Sequence, residues 1–221
     1  MTGTQKPRVK ICCISSQQEA HDAIQYGASA LGLVGEMPSG PGVITDEQIL
    51  AIARRVPPPV ATFLLTSETE ATAIIRHQQR ARTSTIQIVD TLVDGTHQDI
   101  RAALPGVKLV QVIHVVNEAS IDEALQAAEH VDAVLLDSGD PTRAVKELGG
   151  TGRTHNWRLS RRIREQLTKP VFLAGGLHAG NVREAIETVE PFGLDLCSGV
   201  RTNGKLDERK LAAFFEAVEK E

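Results

Sequence analysis

No apolar run in this 221-residue chain approaches the ~20 residues that a membrane-spanning helix needs. The first residues, MTGTQKPR, lack the apolar core of a signal peptide. Cysteine is scarce. Cys12, Cys13 and Cys197 are the full set, and the adjacent pair would strain the peptide between them if bridged. No disulfide framework is expected, and a reducing cytoplasm is the compartment this usage predicts. There is no CxxC and no Cys/His cluster with zinc-finger spacing, so no metal is expected. An excess of positive charge is also missing. The 24 Lys+Arg against 28 Asp+Glu leave a formal net charge of -4. That balance argues against nucleic acid or anionic lipid as a partner. No GxGxxG follows the first apolar run and no GxxxxGK[ST] occurs, so neither dinucleotide nor Walker-type phosphate chemistry is indicated.

What is present is alternation. Short Val/Ile/Leu-rich runs recur at VKICCI (9–14), ALGLV (30–34), VATFLL (60–65), TIQIV (85–89), KLVQVI (108–113), DAVLLD (132–137), PVFLA (170–174) and LDLCS (194–198). Runs this short and this apolar suit parallel strands covered on both faces. Amphipathic stretches lie between them. Several open on a capping residue: a serine before QQEAHDAIQYG, Thr45 with Gln48 in a capping box, and Ser67 with Glu70 in a second. Eight strands and eight helices in strict alternation, at roughly 25 residues per unit, predict one (β/α)₈ barrel over residues 1–221. An open doubly wound sheet is the weaker rival, for want of the glycine fingerprint.

In such a barrel the chemistry sits where strands end, and four ends are unusual. Cys12-Cys13 closes the first run. In strand geometry the two would point to opposite faces, and a thiol at the rim is a candidate base or nucleophile. Asp137 ends an apolar strand, where desolvation raises a carboxyl pKa and suits a general acid; the plainer alternative is a loop cap. Gly175-Gly176 and Ser198-Gly199 follow strands seven and eight, a common phosphate position. There glycines admit close backbone approach, and a helix N-terminus favours an anion. The loop GGTGRTHNW (149–157), with Gly150, Thr151, Gly152 and Arg153, reads as a flap over a ligand. Asp195 lies within strand eight, where an inward carboxylate needs a partner; it is structural or orients substrate. His155, His178 and His114 fall in upper loops. His21, His77, His97 and His130 fall in helices or outer turns and are expected to be solvated.

VKICCI, LLDS, GGTGRTHNW, FLAGGLHAGNV and LDLCSGVRTNGKLDERKL, in this order, resemble the phosphoribosylanthranilate isomerase family of tryptophan biosynthesis. Its usual forms are KICG, LLD, GGTGKTFDW, LAGGL..NV and D..SGVE..G.KD. The resemblance spans nearly the whole chain and implies a (β/α)₈ barrel. It further implies an Amadori rearrangement of N-(5-phosphoribosyl)anthranilate to 1-(2-carboxyphenylamino)-1-deoxyribulose 5-phosphate, without a cofactor. By the same resemblance Asp137 is the general acid on the ribose ring oxygen. Cys12 is the general base that takes the C2 proton. Gly175, Gly176, Ser198 and Gly199 hold the 5-phosphate.

Four departures accompany the match. The family's Gly after KIC is Cys13. Its SPR.V reads PSGPGVI here, with Pro41 nearest the arginine position. QLHG reads QIVD at 87–90, and SGVE ends in Arg201. The phosphate half is kept and the anthranilate half is altered, with Arg201 or Arg153 as candidate replacements for the lost cation. Rival readings are an isomerase or lyase of another sugar phosphate and a non-catalytic binder. The expected partner is a small sugar phosphate, not nucleic acid or membrane, and the expected assembly is a monomer or homodimer.

Overall fold

The computed structural model describes residues 6–139, 148 and 152–220. Eight strands run β1 (Arg8–Ile11), β2 (Ala30–Val34), β3 (Ala61–Thr66), β4 (Thr85–Ile88), β5 (Lys108–His114), β6 (Ala133–Asp137), β7 (Val171–Leu173) and β8 (Gly193–Leu196). Each pairs in parallel with the next, and β8 pairs with β1, so the sheet closes. The open-sheet alternative is thereby removed. The helices between and after them are α1 (Gln17–Gln25), α2 (Asp46–Ala53), α3 (Ala71–Ala81), α4 (His97–Ala103), α5 (Ala119–Ala128), α6 (Trp157–Gln166), α7 (Val182–Val189) and α8 (Glu208–Glu219).

Alternation along each strand sorts the core into two layers. Ile11, Leu31, Leu64, Ile86, Leu109 and Val134 pack outward against helix residues such as Ala23, Ile49 and Ile74. Ala30, Phe63, Val110, Val112, Leu135 and Phe172 fill the barrel. Phe63 and Phe172 meet edge to face at 6.0 Å. Gly193 leaves room for the second ring, since a Cβ there would lie 2.5 Å from it. Among the described residues no helix is long and apolar enough to cross a membrane.

Local signals mostly act as the sequence suggests. Ser16 caps α1, and Thr45 with Gln48 forms the capping box of α2. The box expected at Ser67 and Glu70 does not form. Backbone hydrogen bonds tie Thr69 and Ala71 to Val93 and Asp94, which keeps Glu70 extended, and α3 starts only at Ala71. Ser67 Oγ donates instead to the Glu36 carbonyl. A box that was not anticipated, Thr96 with Asp99, opens α4. Also unanticipated are a 3₁₀ turn at Ser198–Val200 and a small antiparallel pair, Arg201–Thr202 with Lys205–Leu206, before α8.

Two further expectations are corrected. The first strand ends at Ile11, so Cys12 and Cys13 are not two residues of one strand on opposite faces. Cys13 takes φ 62°, a left-handed conformation, and both side chains are buried in the same inner cluster. His77 is not solvated. It is 5% exposed, with Nδ1 2.9 Å from Thr66 Oγ1 and Nε2 3.0 Å from Asp46. The missing side chain of Gly35 makes its space, because a Cβ there would lie 2.4 Å from the ring.

Candidate active site

The upper ends of β1, β6, β7 and β8, with the β2–α2 loop, line one cleft. Cys12, Cys13, Asp137, Asp195, Gly152, Gly175, Gly176 and Ser198 all line it. Most residues singled out in the sequence therefore converge on one place. Gly199 does not line it. It sits one residue behind the wall, and a Cβ there would meet the Leu177 carbonyl at 1.9 Å. Its smallness serves the packing of the 3₁₀ turn on the β7 loop. Gly150 and Thr151 lie outside the described residues. Arg153 is exposed, and its backbone crosses Gly176 closely enough that a Cβ there would meet it at 2.6 Å. Gly175 and Gly176 have φ of 83° and 60°, which glycine adopts without strain.

Below the cleft lies a buried ion pair. Lys10, fully buried on β1, donates from Nζ to Asp195 Oδ1 at 2.9 Å, and its ammonium stands 5.2 Å from the Phe63 ring centre. Burial pulls the lysine pKa down, but Asp195 and the nearby Cys12 outweigh it and raise it, so the charge is held. Asp195 thus has the partner that an inward carboxylate requires. Directly above, Cys12 continues the ladder, its N–H donating to the Leu196 carbonyl at 2.8 Å. Its sulfur leans toward β2 at Gly32, where a Cβ would lie 2.6 Å from Sγ and 3.1 Å from Lys10 Nζ. Gly32 therefore makes room for both, a role that an apolar strand residue did not advertise.

Asp137 ends β6 across the cleft, 8% exposed. Burial raises its carboxyl pKa; the Ser138 N–H, 2.7 Å from Oδ1, and His114 work the other way without reversing it. His114 is its register partner on β5. It is buried, with Nε2 3.1 Å from the Val89 carbonyl and Nδ1 without a partner among the described residues. Gln87 also lines the cleft, its Oε1 without a partner among the described residues.

The two other upper histidines do not reach the cleft. His155 Nε2 lies 2.7 Å from Ser160 Oγ, and burial lowers its pKa to about 4. His178 Nδ1 accepts from the Gly180 N–H at an exposed turn. Trp157 packs on the outer core.

Arg201 is a surprise. Its side chain is 6% exposed and is spent inside the protein. One nitrogen donates to Glu19 Oε1 at 2.9 Å and to the Gly204 carbonyl at 3.0 Å; the other donates to the Cys12 and Cys13 carbonyls at 3.3 and 2.6 Å. It clamps the Cys12-Cys13 turn and does not face the cleft, so it is no substitute for the cation lost at Pro41. Among the described residues lining the cleft, none is Lys or Arg. No group of three or more His, Cys, Asp or Glu side chains among the described residues is arranged to hold a metal ion.

Comparison with known proteins agrees with this geometry. The family model described as N-(5'phosphoribosyl)anthranilate (PRA) isomerase matches residues 9–217. An N-(5'-phosphoribosyl)anthranilate isomerase from Methanocella arvoryzae is 34% identical over 212 residues, covering 96% of this chain and 97% of that one. Among solved structures, a phosphoribosyl anthranilate isomerase in complex with reduced 1-(o-carboxyphenylamino)-1-deoxyribulose 5-phosphate superposes with a TM-score of 0.77 at 26% identity, covering 96% and 98% of the two chains. Monomers derived from the dimeric isomerase of Thermotoga maritima superpose at 0.78 with 25% identity and the same coverage.

Proposed function

The chain belongs to the N-(5'-phosphoribosyl)anthranilate isomerase family, and we propose that it carries out that isomerisation in tryptophan biosynthesis with Cys12 and Asp137 as its two proton-handling groups. The observation that carries the assignment of roles is their placement. A thiol one residue past the end of β1 and a carboxyl at the end of β6 line one cleft.

Burial keeps the Asp137 carboxyl protonated to higher pH than an ordinary carboxylate. It gives that proton to the ribose ring oxygen. The C1–O bond breaks, and the nitrogen lone pair forms the C=N bond of the opened sugar. Cys12 then takes the C2 proton, the electrons of that C–H bond form the enolamine, and tautomerisation yields the ketose. The Lys10–Asp195 ion pair forms the floor under the reacting face. Gly175, Gly176 and Ser198 offer backbone donors and a hydroxyl to the 5-phosphate, with Gly199 supporting that loop from behind. Gly152 and Arg153 belong to the segment that would cover the sugar. No step calls for a cofactor. A soluble phosphorylated metabolite as substrate suits a cytoplasmic enzyme, acting as monomer or homodimer.

The decisive experiment is the fluorescence decay of the anthranilate substrate with wild type, Cys12→Ala and Asp137→Asn. Each variant loses about 10²–10⁴-fold in turnover; near-full activity in either overturns the roles. Failure of the wild-type gene to rescue a tryptophan auxotroph lacking this isomerase would overturn the substrate.

A further inference from the structure

All three cysteines of the chain meet at one rim of the cleft, although 184 positions separate Cys13 from Cys197. The isomerisation uses one thiol. The other two lie on the β1–β8 seam. Ile11 and Leu196 are register partners there, and the Cys12 N–H extends the ladder to Leu196. Neighbouring strands run ~4.8 Å apart, inside the roughly 4.4–6.8 Å between Cα atoms that a disulfide spans.

The turned backbone at Cys13 decides which sulfurs face each other. Cys12 Sγ leans away from the seam, toward Gly32 of β2. Cys13, in its left-handed conformation, lies under Gly42 and within hydrogen-bonding reach of both Cys12 and Cys197, but a bridge to its chain neighbour would strain the peptide between them, which leaves Cys197 as its partner. Arg201 stands beside both, bound to the Cys13 carbonyl at 2.6 Å. Cys197 is partly exposed to the cleft, so a small oxidant reaches it.

We propose that Cys13 and Cys197 form a hydroperoxide-sensitive dithiol, which closes to a disulfide across the β1–β8 seam and shuts the site. The Cys13 hydrogen bond and the Arg201 guanidinium draw the Cys197 thiol pKa down, which makes it the attacking group. Its sulfur attacks one peroxide oxygen. An S–O bond forms, the O–O bond breaks, and the other oxygen leaves as water or alcohol, so Cys197 becomes the sulfenic acid. The Cys13 sulfur then attacks the Cys197 sulfur. An S–S bond forms, the S–O bond breaks, and hydroxide leaves as water with the Cys13 proton. The two electrons given up by the thiols have reduced the peroxide. The bridge pulls Cys197 and its neighbour Ser198 toward the Cys12-Cys13 turn, so the phosphate loop and the base are displaced together.

The test is covalent, so it stands or falls independently of the substrate assignment. Reduced full-length protein is treated with hydrogen peroxide, alkylated, and digested with trypsin. The expected product is the peptide Ile11–Arg54 joined to Glu184–Arg201 in wild type, with intact mass lower by two hydrogens and activity restored by dithiothreitol. Cys13→Gly places the residue that this φ favours and keeps the fold; it is expected to lose the cross-link completely, as is Cys197→Ala. No cross-link in wild type overturns the proposal. So does a cross-link that persists in Cys13→Gly, because Cys12 would then be the partner.

Discussion

Replacing Arg201 with alanine tests how the Cys12-Cys13 turn is held in place. The guanidinium is 6% exposed and its Glu19 partner 13%. Two of its contacts go to carbonyls of the turn that carries Cys12. Removing it leaves Glu19 inside with only the Leu206 and Ser15 N–H groups and the Ser15 hydroxyl as donors. Breaking a buried pair from one side costs about 3–5 kcal/mol, whereas an exposed pair yields about 1 kcal/mol or less. At an m-value of ~3 kcal/mol/M the urea midpoint falls by roughly 1–1.7 M. Circular dichroism in urea reads this directly, and a double-mutant cycle with Glu19→Gln isolates the pair. The acid side supplies a second reading. Burial pushes the Glu19 carboxyl up, but the hydrogen bonds from Arg201, Leu206 and Ser15 outweigh it and leave its pKa lowered. The stability it contributes is present above the unfolded carboxyl value and is lost as pH falls through the lower folded one. Arg201→Ala removes part of that acid-side loss. A midpoint shift under about 0.3 M, the scale of an exposed pair, would refute the clamp.

Other outcomes follow from the same geometry. Asp137 has a raised folded pKa, so the wild type loses stability as pH rises from the unfolded carboxyl value through the folded one. Asp137→Asn removes that loss and is expected to melt higher than wild type at pH 8 in calorimetry while its turnover collapses. Pro41→Arg returns a cation to the cleft wall; a charged hydrogen bond of about 1.5–3 kcal/mol predicts a KM lower by roughly 10–150-fold with little change in kcat. Gly199→Ala puts a methyl group against the Leu177 carbonyl. It is expected to cost about 1–3 kcal/mol and to raise KM through the shifted Ser198 loop, and an unchanged KM would detach that loop from phosphate binding.

The barrel was legible because strands covered on both faces read as unbroken Val, Ile and Leu, and because Thr45 and Gln48 cap α2 through contacts only three residues long. Asp137 was legible for a similar reason, as a charge ending an apolar run. Contacts between distant segments were not. Lys10 in VKICCI looks like a solvated residue until β8 is laid beside β1, and its partner is 185 positions away. Arg201 looked like a spare cation until Glu19 was found against it, 182 positions away. The false capping box at Ser67 shows the converse: correct spacing was overridden by a backbone pairing with Asp94 that no local pattern announces.

The Lys10–Asp195 pair has a consequence for how the molecule comes into being. The lysine is made 185 residues before its carboxylate. At about 5–20 residues per second, the ammonium waits roughly 10–40 s for the partner that allows its burial. Cys12 and the Ser198 turn are likewise brought together only when the last strand docks on the first. A nascent or truncated chain therefore has no half-working site, and competence arrives with closure of the ring.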